Sequence, residues 1–268
     1  MNYKETKYLV FDVESVPDSR LIKMVRYPDT DYSGEEAVRT YQAYLMEQSG
    51  GSSDFIPATF QYPVSICIAK LGENFTLLDI VSLDEPQFRA AEMTKLFWHG
   101  IESLYDHASY ITFNGRGFDI PLLELMAYRY GIAAKRHFKD KFAGRYRFGT
   151  KHIDLQDVLS NYGAIRMNGG LNLLAKILGK PGKMGTKGND VYDLFLQGKT
   201  QEINDYCIHD VLDTYFVFLR TRVVMREISI EQEADIIKAA REFLADNSER
   251  IPALKEYLDH WTEGEPWP

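Results

Sequence analysis

YLVFDVES, residues 8–15, sets two acids, Asp12 and Glu14, at the end of an apolar run. The segment from Lys7 to Asp12 has the aliphatic and aromatic content of a buried strand. Strand side chains two apart point the same way, so Asp12 and Glu14 share a face. Two ionised carboxylates near a sheet interior repel each other and lose hydration. A basic partner, a solvated strand end or a metal ion must compensate.

Working outward, residues 18–50 mix charged and apolar side chains in helical fashion, through Leu21, Met24 and Val25 and then Ala37, Tyr41, Tyr44 and Leu45. SGGSSD, 49–54, breaks that pattern. Val64 to Ala69 and Phe75 to Val81 read as strands joined through Gly72-Glu73-Asn74, a link short enough to make them antiparallel. Helical periodicity runs from Pro86 to Tyr105, a short strand from Tyr110 to Phe113, and a helix from Phe118 to Tyr130. Ile153 to Leu159 is ambiguous. Leu171 to Leu178, Thr200 to Val224 and Ile230 to Leu244 read as helices. This order predicts an α/β fold with a mixed sheet of five to six strands flanked by helices. Its first three strands form a meander, with a helical insertion at about 18–60. Two units are expected: a catalytic-sized domain over 1–221 and an acidic helical C-terminal appendage over 222–268.

Composition sets outer bounds. The chain has 268 residues, 45% apolar and 26% charged, as in an ordinary globular protein. It shows no secretory leader and no apolar run able to cross a bilayer, so no membrane association is expected. Cys67 and Cys207 sit in apolar surroundings without metal-ligand spacing, which fits a reducing, cytoplasmic setting. Net charge is −8, with eleven acids and six bases in 222–268 contributing −5 and the remainder −3. The tail is thus a candidate docking surface for a protein partner, or it simply closes the core. Four clustered acids account for the charge of the remainder.

Such a cluster can be assembled. Asp12 and Glu14 close the first strand, Asp119 follows the turn Asn114-Gly115-Arg116-Gly117-Phe118, and Tyr206 and Asp210 lie one helical turn apart. Taken singly, each has an ordinary structural reading: a solvated strand end, a helix N-terminal acid, a packed surface tyrosine. Together the four carboxylates suit hard cations such as magnesium and manganese, and two divalent ions would neutralise them. Two ions held ~3.5–4 Å apart can stabilise the attacking and leaving oxygens of a phosphoryl displacement. A tyrosine beside the attacking water can orient it without ionising.

These residues carry a resemblance. Phe11-Asp12-Val13-Glu14, Asn114-Gly115-Arg116-Gly117-Phe118-Asp119 and Tyr206-Cys207-Ile208-His209-Asp210 resemble, in order, the three motifs of DEDD-type 3′→5′ exonucleases. The Tyr-x-x-x-Asp spacing is that of the tyrosine subclass; the histidine subclass would need a histidine where Asp205 stands. With His152-Ile153-Asp154-Leu155, the motifs resemble the proofreading exonuclease of family-B DNA polymerases, and most fully a bacterial stand-alone family of predicted exonucleases related to it. The resemblance covers about residues 5–221. It implies a ribonuclease H-like fold and two-metal cleavage of 3′-terminal phosphodiesters. By motif, Asp12 would bridge both ions, Glu14 and Asp210 would complete the nucleophile-side site, and Asp119 would support the leaving-group side. Tyr206 would place the water. Asp154, Asp157, Asp213 and His209 are read as supporting neighbours.

Single-stranded nucleic acid is the expected substrate, with DNA favoured over RNA. Lys135, Arg136, Lys139, Lys141, Arg145, Arg147 and Lys151 alternate with Phe138, Phe142, Tyr146 and Phe148, a composition suited to phosphate contact and base stacking and equally to an amphipathic connection. Lys183 sits in the basic loop from Gly179 to Gly188, which also reads as a plain solvated loop. Asn114 and Phe118, beside Asp119, are placed to touch the terminal nucleotide or to hold the turn. The substrate contacts expected are therefore Asn114, Phe118, Lys139, Arg145, Arg147 and Lys183. Gly144 to Lys151 fails as a P-loop because Thr150 precedes Lys151, and Gly115-x-Gly117 lacks the third glycine of a dinucleotide fingerprint. Two other readings remain: a non-catalytic nucleic-acid or protein-binding module, and a hydrolase of small nucleotides.

Overall fold

The structure, a computed structural model, describes residues 3–140, 144–184 and 190–262. Strand β1 (Tyr8–Pro17) lies at the middle of the sheet. It runs past the expected end at Asp12 because it pairs antiparallel with β2 (Gln61–Leu71) along its whole length, from Tyr8↔Leu71 to Pro17↔Gln61. The register shifts between Glu14 and Ser15, where β2 carries the extra residue Val64, a bulge opposite β1 just beyond the two acids. The period of two sorts its side chains: Leu9, Phe11 and Val13 enter one core, and Val10 the other. Asp12 and Glu14 continue the Val10 face.

Between β1 and β2 lie α1 (Ser19–Arg26) and α2 (Gly34–Gln48), the expected helical insertion. Ile22, Ala37, Val38, Tyr41 and Ile56 give it a small core of its own. Ser33 and Glu36 form a reciprocal capping box that starts α2. Strand β3 (Leu77–Ser82) then returns antiparallel to β2. It begins after Phe75, which instead takes a left-handed turn conformation (φ 62°).

Helix α3 (Ala90–His99) starts later than the expected Pro86. The Asp84 carboxylate accepts hydrogen bonds from the Arg89 backbone N–H (2.9 Å) and guanidinium (2.6 and 2.8 Å), closing residues 84–89 into a turn. Strand β4 (Ser109–Thr112) pairs parallel with β1, and α4 (Asp119–Tyr130) leads back along the face of Leu9 and Phe11. The single-turn helix α5 (Lys135–Lys139) is too short for periodicity to reveal. Strand β5 (His152–Asp154) pairs parallel with β4, and α6 (Leu155–Leu159) follows without a break. Asp154 is at once the last strand residue and the helix N-cap, which explains why this stretch read both ways.

Helices α7 (Gly170–Ile177) and α8 (Val191–Leu196) precede the long helix α9 (Thr200–Val224), which covers the Val10 face of the sheet. The sheet order is β3-β2-β1-β4-β5, the mixed five-stranded α/β arrangement expected, consistent with a ribonuclease H-like exonuclease fold. Helices α10 (Ile230–Asn247) and α11 (Pro252–Asp259) pack on α9, where Ala240, Leu244, Ala253, Leu254 and Tyr257 enter the same core as Ile208, Leu212 and Phe216. Among the described residues no helix is long and apolar enough to cross a membrane.

Candidate metal centre

Asp12 and Glu14 meet Asp210 because α9 is seated closely on β1. The Cys207 thiol donates to the Asp12 backbone carbonyl at 3.4 Å, and the Asn204 Oδ1 accepts from Ser65 Oγ (2.9 Å) and Cys67 Sγ (3.3 Å). Ser65 and Cys67 are the cross-strand partners of Glu14 and Asp12. Small side chains under the acids thus let the helix approach. One carboxylate oxygen from each of Asp12, Glu14 and Asp210 lies within 4.8 Å of the others, in a half-buried position.

Asp119 reaches the same region from the other side. It is the first residue of α4 and only 4% exposed. The preceding turn is held by Asp154, whose carboxylate accepts from the backbone N–H of Asn114 (3.0 Å) and Arg116 (2.9 Å). Asn114 is left-handed there (φ 64°), and a Cβ at Gly115 would meet the Thr112 side chain at 2.5 Å, so the turn needs glycine. Asp119 lies outside the tight triad, yet its charge acts on both Asp12 and Glu14.

The electrostatics show a site short of positive charge. Burial, then repulsion from neighbouring acids, raises Asp12 and Glu14 well above the usual carboxylate range. Burial pushes Asp119 up to about 7, opposed by its own and the Val13 backbone N–H. It pushes Asp210 up to about 6, opposed by the Tyr206 hydroxyl and the charge of Lys183. Tyr206 is itself raised, by burial and then by Asp210, so its phenol stays protonated. Among the described residues none of these four acids forms an ion pair with a lysine or arginine. Among the described residues, then, no basic partner compensates Asp12 and Glu14. The Asp119 Oδ1 atom is buried with no hydrogen-bond partner, which a bound cation would supply. An all-oxygen donor set fits a hard divalent cation.

The remaining expected residues are spread more widely. Asn114 uses its Oδ1 to accept from the Gln156 side chain at 3.1 Å, holding its turn. Phe118 is half-buried, its ring 5.6 Å from that of Phe55. Lys183 donates its backbone N–H to Asn172 at 2.9 Å and influences Asp210. Lys139 ends α5, lining a groove with Tyr128 and Phe138 at the far end of α4 from Asp119. Arg145 pairs with Glu124 at 3.0 Å, and Arg147 with Asp157 at 2.7 Å. Both arginines would have to leave or share an acid to meet phosphate. Lys141, Phe142, Lys187 and the end of the Gly179–Gly188 loop lie outside the described residues.

Asp154 does more than the sequence suggested, since it anchors the turn before Asp119. Asp154 could have been weighed higher from its place at a strand-to-helix junction.

The sequence model of one protein family, described as predicted 3′-5′ exonuclease related to the exonuclease domain of PolB, matches residues 53–261. The match takes in Asp119, Tyr206 and Asp210 and continues through α10 and α11, whereas Asp12 and Glu14 precede it. No curated protein matches the chain.

Proposed function

Because the chain belongs to this family of predicted 3′-5′ exonucleases, we propose that it hydrolyses the 3′-terminal phosphodiester of single-stranded DNA, releasing nucleoside 5′-monophosphates. RNA is the second substrate to test. The observation that carries the reading is the convergence of Asp12, Glu14 and Asp210 carboxylate oxygens within 4.8 Å, uncompensated by any basic ion-pair partner among the described residues.

Asp12, Glu14, Asp119 and Asp210 would hold two divalent cations, magnesium or manganese. Bound there, such ions would supply Lewis-acid activation of the phosphodiester and stabilisation of charge on the departing oxygen. Asp12 is the residue best placed to be shared, since it faces Glu14, Asp119 and Asp210 electrostatically. Tyr206, protonated and beside Asp210, orients the attacking water by hydrogen bonding. Water adds to phosphorus, the bond to the 3′ oxygen of the penultimate nucleotide breaks, and that oxygen leaves as a hydroxyl. Two free, buried cysteines fit a reducing compartment, and we place the activity in the cytoplasm.

The test is a single-stranded DNA labelled at its 5′ end, incubated with the protein and manganese. A ladder shortening from the 3′ end, abolished by EDTA, is expected. Intact substrate that still binds would instead favour a non-catalytic module on this scaffold. Cleavage confined to dinucleotides would favour a small-nucleotide hydrolase.

A further inference from the structure

Helix α4 begins at Asp119 and ends beside a groove. Pro121, Glu124, Leu125 and Tyr128 are at least partly exposed and recur every three to four positions, so they form one stripe along the helix. At its far end Glu124, Ala127, Tyr128 and Gly131 line a groove of about 500 Å³ with Phe138 and Lys139 of α5. Tyr128 lies nine residues beyond Asp119, which is about 13 Å along the axis at ~1.5 Å per residue.

The chemistry of the groove is uneven in a useful way. Its rings are open, with Tyr128 89% and Phe138 48% exposed. The Arg145 guanidinium lies 4.8 Å from the centre of the Phe138 ring, a cation backing one of them. The one acid among its lining residues, Glu124, is already occupied: it meets Arg145 at 3.0 Å and His137 Nε2 at 2.6 Å. The lysines are not. Among the described residues neither Lys135 nor Lys139 forms an ion pair, and both are exposed. Between them the floor is apolar, with Ala127, Ile132 and Ala134. Lysines of this kind suit phosphates, and open rings suit unpaired bases. Continuity favours a nucleic-acid strand over an acidic protein segment, because one helix carries a metal-site acid at its start and this groove at its end.

We infer that the groove between α4 and α5 is a remote strand-binding subsite, in which Tyr128 stacks on a base upstream of the cleaved end and Lys135 and Lys139 meet the neighbouring phosphates. This rests on the exonuclease reading above and adds a chain-length preference to it. A strand stacked at about 3.4 Å per nucleotide needs about four nucleotides to cover α4 from Asp119 to Tyr128. An extended strand covers it with fewer, and a dinucleotide stops short of the groove.

Strand length tests it. On a long single strand of DNA, Tyr128→Ala should raise KM about tenfold with little change in kcat, and Tyr128→Trp should restore the parent KM. On a dinucleotide, Tyr128→Ala and the parent should be alike. The same rise in KM on both substrates, or none on either, overturns the subsite and leaves the exonuclease reading standing; an acidic protein occupant would give the second result. If the parent shortens neither substrate, the exonuclease reading fails separately. The long strand with a 5′ fluorophore, bound in calcium and followed by anisotropy, then decides the groove alone. There the Lys135→Gln/Lys139→Gln double variant should bind more weakly, with a slope of log affinity against log salt shallower by about 1.4, since each phosphate contact on a single strand contributes ~0.7. Identical curves for variant and parent, or no binding by either, overturn the subsite. Because Tyr128 is so exposed, thermal unfolding of Tyr128→Ala should match the parent, so that the change in KM reports the groove and not the fold.

Discussion

At the scale of single residues, the four acids destabilise the protein when no cation is present, and this gives tests independent of catalysis. A folded Asp119 titrates at about 7 and Asp210 at about 6, whereas an unfolded aspartate titrates near ~4. Between those values the folded state binds more protons than the unfolded one, so stability rises as pH falls through that window. Each such proton is worth about 1.4 kcal/mol per pH unit at most. Metal-free protein should therefore melt at a higher temperature at pH 5 than at pH 7.5, and saturating manganese should flatten the difference by replacing protons. A melting temperature that fell on acidification in EDTA would contradict the burial of these groups. Asp12→Asn should remove one of the repelling charges and raise the metal-free melting temperature, yet lose most of the stabilisation by manganese and at least about 10²-fold in cleavage rate. Tyr206→Phe should keep the manganese response and lose about tenfold in rate, because all four acids remain while the hydroxyl that meets Asp210 and orients the water is lost. The pairing of Asp12 with Glu14 was legible from the period of a strand, and Tyr206 with Asp210 from the turn of a helix. What was not legible is that, among the described residues, no lysine or arginine pairs with them, since that depends on packing of elements far apart in the chain.

At the scale of elements, the site depends on how a strand hands over to a helix. The sheet and the long helices could be read because each spans enough residues to show its period. Thr200–Val224 carries apolar residues nearly all round, as befits a helix covered by the sheet on one side and by α10 and α11 on the other. The short pieces α5, α8 and α11 could not be read, although Pro252 at the first turn of α11 is a recognised start signal. The β5–α6 junction is the one tied to the turn before Asp119. Asp154 accepts four backbone N–H groups: Asn114, Arg116, Gln156 and, at 3.4 Å, Asp157. It therefore fastens the turn before Asp119 to the start of α6. Asp154→Ala should lower stability by about 1–3 kcal/mol, since it leaves buried donors without acceptors. It should also weaken manganese binding, read as a smaller shift of melting temperature, because the turn that aims Asp119 loses its anchor. A variant that lost stability but kept the full manganese shift would limit Asp154 to a scaffolding role.

At the scale of the whole molecule, charge and packing divide the chain differently. The acids of 222–268 lie mostly on outer faces, with Glu231, Asp235, Glu242, Asp246, Glu249 and Glu256 exposed. The sequence offered both a docking surface and a lid on the core for this tail, and the outer faces keep the acidic surface. The inner faces place Ala240, Leu244, Ala253, Leu254 and Tyr257 in the core that supports α9. Glu233, 2% exposed, meets Arg220 of α9 at 2.9 Å, and the Tyr257 hydroxyl donates to Asp213 at 2.7 Å, one turn beyond Asp210. These contacts reach the helix that carries Tyr206 and Asp210. A chain cut after Arg226 would expose that side of α9 and take the Tyr257 hydroxyl from Asp213 and the Glu233 carboxylate from Arg220. Losing two buried leucines alone costs roughly 4–10 kcal/mol, comparable to the whole stability of a domain. The truncated protein should accordingly be insoluble or lack cooperative unfolding, and show no exonuclease activity. Supplying residues 227–268 as a separate peptide should restore solubility in proportion to its concentration. A soluble, cooperatively folding and fully active 1–226 fragment would show that the carboxylate site stands without these helices, and that their role is confined to the acidic surface.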